Sequence, residues 1–315
     1  MRATRWMFSG GGAAAIGVSA WLLVNAGMAS PAIGAAAAPA PIAGGTFEAS
    51  GVAHVPGTGG VLFVDDGRNR EVFWMELAAD GRQRSAAQPV ALEADVTDLE
   101  GITSDGTYFY VVGSQSKKTG FDGDGLVRFR FDPQTRRTSD VQRVRGLKAW
   151  LADTVPELKG TARIIGDEAL NIEAIAWDPD SKRLLLGLRA PVVDGTALVI
   201  PLKMTDPAGA FTAANLRLDG GAIRLPLEGA GIRSLEYDAT ARAFRVITGA
   251  GLNEENRDFR ILEWKGDRAE PGSLPVVATF SRTLKPEGIT LATLDNRPVS
   301  VVVFDTGRFT LLSTP

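Results

Sequence analysis

Five short segments of the chain share one pattern, and that repeat constrains the fold more than any other feature of the sequence. They are Ser50-Gly51-Val52-Ala53, Glu100-Gly101-Ile102-Thr103, Glu173-Ala174-Ile175-Ala176, Arg233-Ser234-Leu235-Glu236 and Glu287-Gly288-Ile289-Thr290. The second position is always small and the third always aliphatic. By subtraction of the residue numbers, the starts lie 50, 73, 60 and 54 residues apart. Three units also place an aspartate five residues after the start, at Asp105, Asp178 and Asp238, where a turn is due.

Each start is followed by a second β-rich run, such as Val61-Leu62-Phe63-Val64 or Tyr108 to Val112. A polar loop then leads into a third run, such as Val72 to Leu77 or Phe259 to Trp264, and most units show a weaker fourth. Four short β-branched and aromatic runs recurring about every 50 residues have the period of a propeller blade. The expectation is an all-β, five-bladed propeller spanning residues 39–315, a single domain. The last unit ends after its third run, so a segment near Ile42 to Glu48 is expected to close the ring. The long second interval carries Leu147, Trp150, Leu151, Val155 and Leu158 at helical spacing, which predicts a short inserted helix. Six blades, with a diverged blade inside that interval, are the alternative.

Residues 1–38 read differently. Arg2 and Arg5 precede an apolar run from Ala13 to Ala29 and then an Ala/Pro-rich stretch, the pattern of a signal peptide and leader. An uncleaved N-terminal anchor is the alternative. The leader predicts a periplasmic or secreted protein, without membrane attachment once it is removed. Without Arg2 and Arg5, Lys+Arg falls from 34 to 32 against 37 Asp+Glu, and the formal charge moves from -3 to -5. An acidic balance argues against a nucleic-acid partner. A monomer is expected. With no Cys and a single His, His54, the chain offers no thiolate or multi-histidine chemistry. His54 reads as a packed or hydrogen-bonded side chain, and Trp74, Trp177 and Trp264 as blade core.

The small and aliphatic positions of the repeat are explained by inner strands crowding around an axis. The first position is not so explained. Glu100, Glu173 and Glu287, with Arg233 and Ser50, should ring one end of the channel. Three carboxylates near one axis need a cation, a raised pKa or an arginine. Oxygen ligands alone suit calcium, or less well magnesium, with Asp98 and Asn171 extending the donor set. The competing readings are a salt-bridged funnel in which Arg233, aided by Lys285, pairs with the glutamates, and glutamates bonded to backbone N–H groups as determinants of the fold.

The loops between second and third strands should open on the same face. They carry Asp65, Ser114, Lys117, Arg189, Arg257 and Arg308, which with Arg233 form the expected binding set for an anionic or ester ligand. Two functions follow as expectations: a calcium-dependent hydrolase, or a propeller that binds a protein or glycan through these loops.

At Asp98-Leu99-Glu100-Gly101-Ile102, Tyr110-Val111-Val112-Gly113-Ser114 and Gly231-Ile232-Arg233-Ser234-Leu235, the chain resembles a family of exported bacterial propeller proteins known only as a domain of unknown function. The repeated E-G-I start is also similar to calcium-binding esterase-like and phytase-like propellers and to the gluconolactonase group. That second likeness implies metal-dependent hydrolysis of an ester, lactone or phosphoester. Arg233 and Ser50 depart from an all-acidic ring.

Overall fold

The computed structural model describes residues 38–116, 125–161, 166, 169–250 and 257–313. The predicted leader and Lys117 lie outside them. After β1 (Ala40–Pro41), the strands fall into five antiparallel sheets in chain order. The first blade is β2 (Ala49–His54), β3 (Gly60–Asp65), β4 (Glu71–Glu76) and β5 (Gln88–Ala91). The second is β6 (Leu99–Ser104), β7 (Phe109–Gly113), β8 (Gly125–Asp132) and β9 (Arg137–Arg145). In the third, β10 (Asn171–Asp178), β11 (Arg183–Ala190) and β12 (Ala197–Met204) are followed by two short strands, β13 (Leu216–Leu218) and β14 (Ile223–Leu225), both paired to β12. The fourth is β15 (Gly231–Asp238), β16 (Ala243–Gly249), β17 (Phe259–Trp264) and β18 (Val276–Phe280). The fifth is β19 (Pro286–Leu294), β20 (Arg297–Phe304) and β21 (Arg308–Ser313), completed by β1.

The ring is therefore five-bladed, and the six-bladed alternative fails on the long interval. That stretch holds the β8–β9 hairpin and helix α1 (Leu147–Thr154), whose Leu147 and Leu151 are buried against Val144, Leu170 and Ile172. Closure also comes slightly earlier than expected. Ala40 and Pro41 pair with Phe309 and Arg308, whereas Ile42 to Glu48 turns away through Gly44 and Gly45 and plants Phe47 against Phe63 and Phe73.

The apolar core lies between blades rather than within them. In β3, Val61 and Phe63 pack with Val301 and Val303 of the fifth blade, while Leu62 and Val64 pack with Val111 and Val127 of the second. Side chains alternate along a strand, so a strand buried on both faces reads as an unbroken apolar run. Five such inter-blade clusters close the circle. The repeat aspartates act as foreseen: Asp105 accepts Thr107 and Tyr108 N–H at 2.7 Å, and Asp238 accepts Thr240 N–H at 2.9 Å, fixing the turns after the inner strands.

Between blades, a Cβ on Gly51 would meet Ile102 N at 2.8 Å and Glu100 O at 2.9 Å, and one on Gly288 would meet Ser50 O at 2.7 Å. These neighbours are backbone and cannot yield. Gly51→Ala is expected to cost about 1–3 kcal/mol in chemical denaturation, whereas Gly221→Ala, which meets nothing within 4 Å, should change stability by less than about 0.5 kcal/mol.

Candidate functional site in the axial cavity

Every inner strand slips by one residue at the first position of the repeat. Leu99 pairs with Gly113 but Gly101 with Val112, leaving Glu100 as the extra residue. The same single-residue bulge falls at Glu173, Arg233 and Glu287, and at Ser50-Gly51 in the first blade. A bulged residue leaves the ladder and its side chain is re-aimed. Here the five bulges turn Ser50, Glu100, Glu173, Arg233 and Glu287 into one cavity of about 470 Å³.

Arginines neutralise one half of this ring. Arg233 Nη1 donates to Glu173 Oε2 at 2.9 Å and to Glu287 Oε1 at 3.0 Å. Glu173, 4% exposed, also accepts from Arg189 Nη1 at 2.9 Å and from Asn171 Nδ2 at 3.2 Å. Burial opposes charge on Arg233, but Glu173, Glu287 and Glu100 together outweigh it and raise its pKa. The guanidinium stays protonated. Glu287 is pushed up to about 8, chiefly by burial, with the charge of Glu173 adding to it and Arg233 opposing.

The other half is acidic and lacks an arginine. Glu100 accepts no hydrogen bond among the described residues, and burial followed by the charges of Glu173, Asp98, Glu287 and Asp66 pushes its pKa well above the ordinary value. Asp66, from the β3–β4 loop, is pushed up to about 7 by burial and by Glu48, with which it shares a hydrogen bond. Burial and these neighbouring charges favour the protonated form of Glu100, which faces the cavity.

Of the residues singled out from sequence, Glu100, Glu173, Glu287, Arg233, Arg189 and Arg257 line the cavity. Asp98 and Asn171 stand behind the ring: Asp98 accepts from the hydroxyl of Ser114 and from that of Ser116 at 3.4 Å, and Asn171 braces Glu173. Ser114 is thus a buried structural donor. Asp65 fixes its own loop by accepting Glu48 N–H at 3.1 Å and Gly67 N–H at 3.0 Å. Arg308 is exposed at the start of β21, paired across from Pro41. His54 is tied to Thr58 O through Nε2 at 3.0 Å, as expected of a packed histidine. Sequence reasoning gave no site role to Asp66, Arg282 or Asp305, which also line the cavity, and mentioned Lys285 only as a helper to Arg233. Arg282 and Lys285 lie on the connection preceding β19, outside the loops between second and third strands.

Calcium was expected on Glu100, Glu173 and Glu287. Among the described residues no three carboxylates are grouped to hold a metal ion. Arg233 takes the place of the cation between Glu173 and Glu287, so the donor set suits an internal guanidinium better than calcium.

Further along the channel, Thr290 Oγ1 donates to Glu236 Oε1 at 2.8 Å, linking the fourth and fifth blades. Burial pushes Glu236 up to about 7. A carboxyl with a raised folded pKa stabilises fully below its unfolded pKa, and that contribution is lost as pH rises through the folded value. The window is therefore about pH 4.5 to 7, and Glu236→Gln should be more stable than the parent at pH 8 by up to ~3 kcal/mol, with little gain at pH 4.5. Arg233→Met should do the reverse: a loss of about 3–5 kcal/mol at pH 8, smaller at pH 5, well below the raised pKa of Glu287, where that carboxyl is protonated. Urea melts at both pH values measure each effect.

No curated protein matches the chain in sequence. Among solved structures, the holo PQQ domain of pyranose dehydrogenase from Coprinopsis cinerea is similar at 12% identity and a TM-score of 0.51, over 87% of this chain and 95% of that one. The soluble aldose sugar dehydrogenase of Escherichia coli is similar at 12% identity and a TM-score of 0.46, over 88% and 99%. The first likeness is one of propeller fold alone. A family model described as a protein of unknown function, DUF3616, matches residues 141–308, and the chain belongs to that family.

Proposed function

We propose that the axial cavity binds a small anionic ester, lactone or phosphoester and that Glu100 transfers a proton to it, without a metal ion. The observation that carries this reading is the pairing pattern of the ring. Arg233 is committed to Glu173 and Glu287, while Glu100 faces the cavity with no donor among the described residues and with its pKa raised by burial and by the neighbouring carboxylates. A carboxylic acid kept neutral near pH 7 can protonate a leaving oxygen or hydrogen-bond a carbonyl.

The rest of the lining supports an anionic ligand. Arg189, Arg257, Arg282 and Lys285 stand on the wall formed by the third to fifth blades, opposite Asp66 and Glu100. Such a wall can hold an oxyanion while the acid acts at the other end. Phe259, under the Arg233 guanidinium at 5.7 Å, gives the cavity an apolar side. The reaction would run outside the cytoplasm, where the leader expected from the sequence would direct the chain. No helix among the described residues is long and apolar enough to cross a membrane.

The test combines thermal shift and turnover with a panel of carboxylated lactones, carboxylate esters and phosphate monoesters. Glu100→Gln should keep the fold and the thermal shift but lose at least ~100-fold in turnover. Calcium or EDTA should leave both readouts unchanged. A calcium-induced rise in melting temperature, lost in Glu100→Gln, would restore the metal-dependent reading. If no compound of the panel shifts the melt, the alternative of a loop-mediated binding propeller for a protein or glycan takes its place.

A further inference from the structure

A second cavity, of about 350 Å³, lies between the second and third blades. It is lined from the Asp105–Tyr108 and Lys182–Arg183 turns, which follow the ends of β6 and β10. Glu100 and Glu173 sit at the starts of the same strands, so this cleft opens on the opposite face of the ring. It shares no lining residue with the axial cavity.

Its walls are aromatic. Tyr110 and Trp177 are parallel to within 1° with centroids 6.3 Å apart, and Phe211 meets Tyr110 edge-on at 5.7 Å. Trp177 is only partly buried, so the expectation that it is blade core holds for one side of its ring; the other borders the cleft. At the mouth stands Arg128, 6% exposed, its guanidinium 4.7 Å from the Tyr108 ring centre and 5.0 Å from that of Phe211. Its donors reach Gln142 Oε1 at 2.9 Å, Gly209 O at 3.4 Å and Met204 Sδ at 3.3 Å, all neutral acceptors, and its Nε has no partner.

Asp140, a carboxylate that feels the charge of Arg128, is itself held by the Tyr108 hydroxyl, by Gln142 Nε2 at 2.7 Å and by Arg130 at 3.6 Å. A buried guanidinium without a carboxylate partner is costly. Lys182 and Lys203 also line the cleft, Lys203 lying 4.0 Å from Asp219, while the one carboxylate of the lining, Asp105, is taken up by its turn and by the Tyr110 hydroxyl at 2.7 Å.

We infer that this cleft is a binding site for a small aromatic acid, its ring lying against Trp177 and Tyr110 and its anionic group meeting Arg128. Flat apolar walls with one fixed cation select a planar anion over a neutral ring or a sugar. The site is independent of the reading given to the axial cavity.

The probe is 1-anilinonaphthalene-8-sulfonate, followed by its own fluorescence and by quenching of tryptophan, with uncharged N-phenyl-1-naphthylamine as comparison. One molecule should bind per chain, and the uncharged analogue should bind at least ~10-fold more weakly. Arg128→Met should weaken the sulfonate at least ~10-fold, and the surface pair Lys182→Glu with Lys203→Glu should weaken it by about 3-fold or more, while Glu100→Gln should leave it unchanged. Should Arg128→Met fail to fold by circular dichroism, the surface pair decides. Sulfonate binding that survives these changes, or that is lost in Glu100→Gln, would overturn the assignment.

Discussion

The approach of five inner strands to a common axis is the constraint from which the rest of the structure follows. At that separation there is room for hydrogen at Gly51 and Gly288 and for little more. The residue just before each small position cannot remain in the ladder and is expelled as a bulge. Crowding and site are thus one feature: the strand geometry that demands a small residue also delivers its neighbour's side chain to the axis.

Delivering three glutamates to one place creates an electrostatic problem with two different solutions in the same ring. Glu173, with Arg189 and Arg233 on its two oxygens, is held in a hydrogen-bonded network. Glu100, one blade away, has no arginine, and burial with the neighbouring carboxylates raises its pKa well above the ordinary value. Paired and neutral carboxyls side by side are what a site needs when one group must hold its surroundings in place and another must move a proton. The departure of Arg233 from the acidic pattern is therefore central to the site.

Much of this was legible in the sequence, because a repeat reports on geometry at every copy. Blade number, the strand runs, the turn aspartates and the ring at the first position all follow from the five aligned starts. The helix was read correctly from Leu147, Trp150 and Leu151, but it ends at Thr154, so Val155 lies beyond it and Leu158 falls in a separate 3-10 turn. The closing strand was displaced because Ala40–Pro41 is only two residues long and carries no β pattern, whereas the Ile42–Glu48 stretch looks more strand-like and in fact packs Phe47 into the core. The bulge was not legible, since it depends on a one-residue slip in pairing; the pairing of Arg233 with the glutamates was one of the readings the sequence left open, and distances across blades decide that it holds Glu173 and Glu287. Asp66 and Arg282 have no counterpart in the repeated strand starts; they reach the cavity from connections between strands.

Burial and the neighbouring carboxylates favour the neutral form of Glu100, and the arginine of the ring, bonded to Glu173 and Glu287, does not pair with it. Carbon-13 NMR of protein labelled at the glutamate carboxyl, with the Glu100 resonance assigned by its absence in Glu100→Gln, reads this directly. The account predicts the chemical shift of a protonated carboxyl at pH 7, moving to that of a carboxylate only well above the ordinary glutamate range. A Glu100 resonance already in the carboxylate position at pH 6 would contradict it.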